Sequence, residues 1–262
     1  MSLKKVLRKI KPLLYTWRFM RESVYRLKGF EFNIKGINSK FYLPYIMTDD
    51  IQKEILYGKN YFERKSLDYI FKTWRDGEIG KVLTKGAILD IGANIGNHTL
   101  YYLNECNAKF VHCFEPMDDT FSILKRNIEI NHLDSRVQLH NVGVGSHCGS
   151  ASVCKCIDKN TGYTQLKPSE DAGGIKIVSI DELNIQERVS FVKIDVEGFE
   201  LEVLKGMQSL LKRDTPFLMV EIWNSNYEEA YKLLKNLGYK YEVLDEYLKA
   251  SEFLFYINYP LI

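Results

Sequence analysis

The sequence predicts an α/β fold in which a largely parallel sheet is covered by helices on both faces, and three observations lead there. From residue 87 onward short apolar runs alternate with amphipathic stretches, the pattern of strands buried on both faces and joined by crossover helices. The first run, 87–91, passes through a glycine-bearing turn into a helix, the place where such sheets bind ligands. Acidic residues then recur where strands end, at Asp90, Glu115, Asp195, Glu197 and Glu221. If the strands run parallel, these side chains surround one crevice beyond their carboxyl ends.

The elements follow in order. Residues 3–27 place Leu3, Val6, Leu7, Ile10, Leu13, Leu14 and Trp17 at helical spacing with Lys and Arg on the other faces, a basic amphipathic helix bent at Pro12. Its apolar stripe suits packing on the main domain, the favoured reading, or an anionic membrane surface reached through Trp17, Phe19 and the lysines. Residues 30–47, broken by Gly36 and Pro44, predict a small hairpin, and 49–74 two helical stretches around Gly58. Strands are expected at 87–91, 110–114 and 137–144, with one helix through Leu103 and another over 118–131. Residues 158–174, with Asn160, Thr161, Gly162, Pro168, Gly173 and Gly174, predict a polar loop over the site. Beyond it lie strands at 191–194 and 217–222, helices at 199–211 and 227–237, and final strands at 239–244 and 253–257. The chain thus divides into a basic helix, hairpin and helices over 1–80, packing on or capping a main domain over 81–262.

With 262 residues, 45% of them hydrophobic and 27% charged, the chain can bury a full core. The formal charge of +2 is uneven, because residues 1–28 carry nine basic groups against Glu22 alone. A mildly acidic body with one basic arm does not match a nucleic-acid-binding face, so no nucleic-acid partner is expected. No apolar run approaches the roughly 20 residues of a membrane span, and no uninterrupted apolar core follows the N-terminal charges as a secretory signal requires. Five cysteines, an odd number, favour reduced thiols in a cytosol. A cytoplasmic protein is therefore expected, with peripheral contact at the inner membrane face through 3–27 as the open alternative. His147, Cys148, Cys154 and Cys156 cluster but lack paired zinc-ligand spacing, which favours a hairpin with reduced thiols and no metal.

The turn after 87–91 carries the chemistry. Glycines at 92 and 96 admit a ligand close to backbone, and the following helix offers free N–H groups. A dinucleotide fold wants G-x-G-x-x-G; counted from Gly92, its other glycine positions hold Asn94 and Asn97, so a pyrophosphate fits poorly. Asp90 suits a cofactor with positive charge and amine donors, such as S-adenosylmethionine. Glu115, 25 positions after Asp90 at a strand end, is placed to accept both ribose hydroxyls. Asp195 and Glu197 stand at i and i+2, on one side of an extended chain. They suit a general base, a ligand for the cofactor's methionine end or, with Glu221, a divalent-cation site, the last disfavoured because no Asn or His supports it. His98 opens the next helix, where the dipole favours a neutral imidazole; it is a candidate base or a packing residue.

These residues fall into ordered blocks: 88–96 around Asp90, Gly92 and Gly96; Cys113-Phe114-Glu115-Pro116; 192–206 around Asp195, Glu197 and Gly198; and 218–222 around Glu221. Over about residues 49–245 the chain resembles the FkbM family of S-adenosylmethionine-dependent O-methyltransferases, within the class I methyltransferase-like, Rossmann-like fold. The resemblance implies a seven-stranded, mostly parallel sheet with a final antiparallel strand inserted at the sheet edge, near 253–257. It implies methyl transfer to a hydroxyl, with Asp90, Gly92, Ala93, Asn94, Gly96, Asn97, Glu115, Asn141, Val142 and Asp195 holding the cofactor and Asp195, Glu197 or His98 acting as base. The acceptor first expected is a glycan substrate, a sugar of a surface polysaccharide or glycoconjugate. A small natural product or lipid-linked acceptor is the alternative. A metal-assisted enzyme on Asp195, Glu197 and Glu221 and a non-catalytic cofactor-binding scaffold are the rivals. Asn97 and His98 depart from the family pattern.

Overall fold

The computed structural model describes residues 23–27, 29–157, 160–169 and 174–257. Most of the basic helix expected at 3–27 lies outside these residues. A short antiparallel hairpin, β1 (Glu31–Asn33) and β2 (Lys40–Tyr42), precedes a helix Asp50–Gly58 capped by the Asp49 carboxylate on Gln52 N–H. The main sheet then begins with β3 (Ala87–Ile91), β4 (Phe110–Phe114) and β5 (Val137–His140), all parallel. β3 is buried along its whole length, as its unbroken apolar run requires.

After β5 the chain leaves this sheet. β6 (Gly143–Val144), β7 (Gly149–Ile157), β8 (Asn160–Ser169) and β9 (Ile175–Val178) form a second sheet in the order β6-β9-β7-β8. The strand expected over 137–144 is therefore two strands, split at Asn141 and Val142. The expected polar loop over 158–174 is instead mostly β8, paired antiparallel with β7, Leu166 opposite Val153. Its Asn, Gly and Pro content signals a loop, but cross-strand pairing with β7 overrides that local preference. The cysteine segment forms the other arm of this hairpin, and Cys148 and Cys154 are free and exposed.

The chain re-enters the main sheet with β10 (Val189–Ile194), β11 (Phe217–Trp223), β12 (Lys240–Glu246) and β13 (Ala250–Tyr256). The completed order is β12-β13-β11-β10-β3-β4-β5, the seven-stranded, mostly parallel sheet that was expected. β13 runs antiparallel to both β11 and β12 and so sits one place inside the edge. Burial explains this, because nearly every residue of β13 is buried, whereas β12 is half exposed and tolerates an open edge. The helix expected over 199–211 is broken at Gly206 into Glu200–Lys205 and Gln208–Asp214. A Cβ at Gly206 would lie 1.9 Å from the Gly145 carbonyl oxygen, so the chain is pressed against the second sheet there.

Helices cover both faces. On one, Phe41, Leu43, Ile55, Leu67 and Phe71 of the N-terminal segment share a core with Ile88, Val111 and Phe191. On the other, Val203, Leu204, Leu211 and Leu234 pack on Leu89, Val192 and Leu218. Neighbouring residues of β3 and β10 thus serve opposite faces. Among the described residues no helix is long and apolar enough to cross a membrane.

Asn127, fully buried on the helix Asp118–Ile130, stitches the N-terminal segment to the glycine turn. Its Oδ1 accepts from Tyr42 N–H at 2.6 Å and its Nδ2 donates to the Ile95 carbonyl at 2.8 Å. Asn127→Ala leaves both backbone groups without that partner, at about 1–3 kcal/mol each. Chemical denaturation is expected to show a loss of at least about 2 kcal/mol; a loss within the error of the measurement would remove Asn127 from this role.

Candidate active site

The glycine turn is built by close approach of three strand ends. Gly92 and Ala93 N–H groups both donate to the Phe114 carbonyl at 3.0 Å, and Asp195 N–H donates to the Ile91 carbonyl at 3.1 Å. Gly92 adopts φ +78°, and a Cβ there would fall 1.8 Å from the Asp195 carbonyl oxygen. Only glycine fits. Beneath the turn, buried Lys193 donates through Nζ to the Gly92 carbonyl and to Asp195 Oδ2, each at 3.0 Å. Burial works against this charge, yet Asp195 and Asp90 hold the ammonium above the ordinary lysine value.

Above the turn opens a cavity of about 620 Å³, at the carboxyl ends of β3, β4, β10 and β11. One wall is Phe114, Glu115, Pro116, Met117, Val142 and Val144. Glu115 is buried and accepts from Asn94 N–H and Met117 N–H, each at 3.0 Å. Burial outweighs those two bonds and pushes its carboxyl up to about 7.

The opposite wall carries Asp195, Glu197, Glu221 and Trp223. Glu197 takes a left-handed φ of 52°, turning the chain into the next helix, and the Trp223 ring lies over Gly198. Glu200, fully buried, accepts from Gly198 N–H at 2.6 Å and from Asn226 Nδ2 at 2.9 Å, fixing the turn. Burial, then the charges of Asp195 and Glu197, push Glu221 up to about 8. Behind this wall a smaller chamber is lined by Glu63, Lys193, Glu221, Tyr247 and Glu252. Glu252, opposite Glu221 in the sheet register, is likewise raised to about 8 by burial and by Glu63 and Asp195.

Of the residues expected from sequence, Gly92, Glu115, Val142, Asp195 and Glu197 line the cavity together, joined by Glu221. Others stand behind the surface. Asp90 is fully buried, one oxygen accepting from Thr99 Oγ1 at 2.5 Å and the other without a hydrogen-bond partner among the described residues. Ala93 is buried, and Asn94 contributes its backbone N–H to Glu115 while its side chain accepts from Ile95 N–H. The buried Gly96, at φ +85°, turns the chain into the next helix. Asn97 brackets Phe62, accepting from its N–H at 2.9 Å and donating to its carbonyl at 3.1 Å. His98 is buried 3.4 Å from Glu63 Oε2 and does not reach the cavity, because the first turn of its helix packs under the N-terminal segment. Asn141 follows β5 on the exposed surface, where it donates to Asp118 at 2.6 Å.

Sequence reading missed Lys193, Trp223 and the outer rim formed by Asp50, Ile51, Glu54 and the Tyr247–Ala250 turn. A lysine inside the apolar run of β10 was a visible signal, since a charge there needs a partner. The rim had none, because it joins segments about 200 positions apart. Among the described residues no three His, Cys, Asp or Glu side chains are grouped to hold a metal ion.

The profile of the methyltransferase FkbM domain matches residues 90–241, from the glycine turn to β12. The chain belongs to that family. It is an enzyme that transfers methyl groups. It is similar to "Methyltransferase 1" of Beauveria bassiana, 29% identical over 178 residues that cover 58% of this chain and 71% of the fungal protein. It is 37% identical over 136 residues to the hexuronic acid methyltransferase AglP of Haloferax volcanii, covering 51% of this chain and 54% of AglP. Among solved structures it is similar to an FkbM methyltransferase from Methylobacillus flagellatus, at a TM-score of 0.49 and 21% identity over 65% of this chain and 43% of that one. The matched region thus spans about half of AglP and less than half of the bacterial chain.

Proposed function

We propose that this FkbM enzyme is a cytoplasmic S-adenosylmethionine-dependent O-methyltransferase whose acceptor is a sugar hydroxyl of a surface polysaccharide or glycoconjugate. One observation carries the reading: the Gly92 turn, buried Glu115 and the Asp195–Glu197–Glu221 wall converge on a single cavity. Gly92 backbone, Glu115, Met117, Val142 and Asp195 hold the cofactor, Glu115 accepting from ribose hydroxyls. Asp90, Ala93, Asn94, Gly96, Asn97 and Lys193 shape the turn from behind. When bound, S-adenosylmethionine supplies an electrophilic methyl on a cationic sulfur.

The wall opposite Glu115 positions the acceptor oxygen and takes its proton. An alcohol is barely ionised at neutral pH, so a base assists as the oxygen attacks. Glu221 suits that task best, since a base serves best when its pKa lies near the working pH, and Glu221 lies near 8. Asp195 and Glu197 flank it and favour the cationic cofactor over a neutral one. The sugar acceptor is supported by the family and by the similarity to AglP.

Titration calorimetry with S-adenosylhomocysteine, followed by labelled methyl transfer onto glycans, tests the reading. One-to-one binding that is lost on Glu115→Ala is expected, with labelled product stable to base as an ether is. Absence of binding, or a base-labile methyl ester, would overturn it. Activity is expected to survive a chelator; loss that Mg²⁺ restores would favour the metal-assisted version.

A further inference from the structure

The cavity extends past the cofactor wall to the N-terminal segment and the Tyr247–Ala250 turn, and this outer part is chemically distinct. Asp50 and Glu54 line it from the helix Asp50–Gly58, together with Glu63, Glu197 and Glu221. Asp50 is paired with Lys53 at 2.7 Å and the Glu221 carboxyl is pushed up to about 8, which leaves Glu54, Glu63 and Glu197 as the carboxylates against which Lys249 is the only lysine or arginine lining the cavity among the described residues. The Lys193 ammonium lies beneath the turn and is already engaged by Asp195 and the Gly92 carbonyl. One side is aromatic: the Trp223 ring borders the cavity beside Tyr247, and its indole N–H has no hydrogen-bond partner among the described residues.

A flat aromatic face bordered by carboxylate acceptors suits a sugar ring, whose C–H face stacks while its hydroxyls donate. The same carboxylates repel a negative group brought among them, and the partly enclosed cavity screens that repulsion less than open water does.

We propose that this outer cavity is the acceptor subsite and that it selects a neutral or amine-bearing sugar, rejecting rings that carry a carboxylate or phosphate. The proposal rests on the O-methyltransferase reading above. It sets this chain apart from AglP, a hexuronic acid methyltransferase by name: likeness in the shared cofactor region does not extend to the acceptor's charge. The Asp50–Glu54 and Tyr247–Ala250 segments write that specificity, and both lie outside the 90–241 family match.

The test uses the full chain saturated with S-adenosylmethionine carrying a labelled methyl, on an array of glycans bearing neutral, amino and uronic sugars. Label is expected on neutral or amino sugars at least about tenfold above the uronic ones. Chemical reduction of the uronic carboxyls to alcohols is expected to raise their labelling. Glu54→Lys, on an exposed helix face, is expected to narrow the difference by at least about threefold while leaving S-adenosylhomocysteine affinity unchanged. In parallel, Trp223 fluorescence of the S-adenosylhomocysteine complex is expected to respond to the neutral sugar and not to glucuronate, a response absent from Trp223→Phe. Uronic glycans labelled as strongly as neutral ones would overturn the proposal. So would the lack of any labelled glycan or any sugar response from protein that binds S-adenosylhomocysteine. Failure to bind S-adenosylhomocysteine at all is a different result and would strike the O-methyltransferase reading itself.

Discussion

Gly92→Ala is expected to lower S-adenosylhomocysteine affinity at least about a hundredfold, equivalent to about 2.7 kcal/mol. Two costs combine at this position. An L side chain at φ +78° carries left-handed strain of about 1–2 kcal/mol. The larger cost is the collision, because the new Cβ would sit 1.8 Å from the Asp195 carbonyl oxygen, which is backbone and cannot swing aside. To relieve it, the Gly92 turn and the Asp195 turn must part, breaking the bonds from Lys193 Nζ to the Gly92 carbonyl and to Asp195. The cofactor wall and the acceptor wall then lose their spacing together. Gly36→Ala is the control: its φ is +102°, but its Cβ would meet nothing within 4 Å. Calorimetry and thermal melts on both variants separate the effects. Gly36→Ala is expected to cost a little stability and no affinity. Wild-type affinity in folded Gly92→Ala would show that the cofactor does not lie on this turn.

What the sequence disclosed about this site follows from how local each signal is. The strands 87–91 and 110–114 and the helix over 118–131 are legible because apolar runs and helical spacing are short-range patterns, and they match the structure almost residue for residue. Gly92, Glu115 and Asp195 are legible because parallel strands place their carboxyl ends at one edge. The departures share a cause. β8 reads as a loop because its pairing with β7 is a tertiary fact. His98 and Asn97 follow the turn in sequence, yet Phe62 and Glu63, some 35 positions earlier, turn them into supports for the N-terminal segment. In sequence Glu221 is legible only as an acid at a strand end, with a metal-ligand role disfavoured. Its raised carboxyl comes from burial and from acids on a neighbouring strand end, which no single segment records.

Glu221→Gln is expected to lower turnover by about 10²- to 10⁴-fold, the usual contribution of a positioned base, with S-adenosylhomocysteine affinity held within about threefold. The pH behaviour distinguishes Glu221 from its neighbours. A base must be ionised, so the wild-type rate rises with pH through the Glu221 pKa, about 8 without ligand. A cationic cofactor held near the carboxylate would favour its ionisation, so with saturating cofactor the midpoint is expected below 8. Stability of the unliganded protein runs the other way. Glu221 is raised above its unfolded value of 4.5, so the native state holds its proton where the unfolded chain has lost it. Its contribution is complete below 4.5 and fades as pH climbs to about 8, so melting temperature falls across that window. Glutamine cannot ionise, and the variant's melting temperature is expected to fall less steeply over the same range. Glu115 and Glu252, raised to about 7 and about 8, keep part of the slope in place. Full turnover in Glu221→Gln together with a collapse in Glu197→Gln would move the base one turn along the wall, to the residue that the spacing of β10 first suggested.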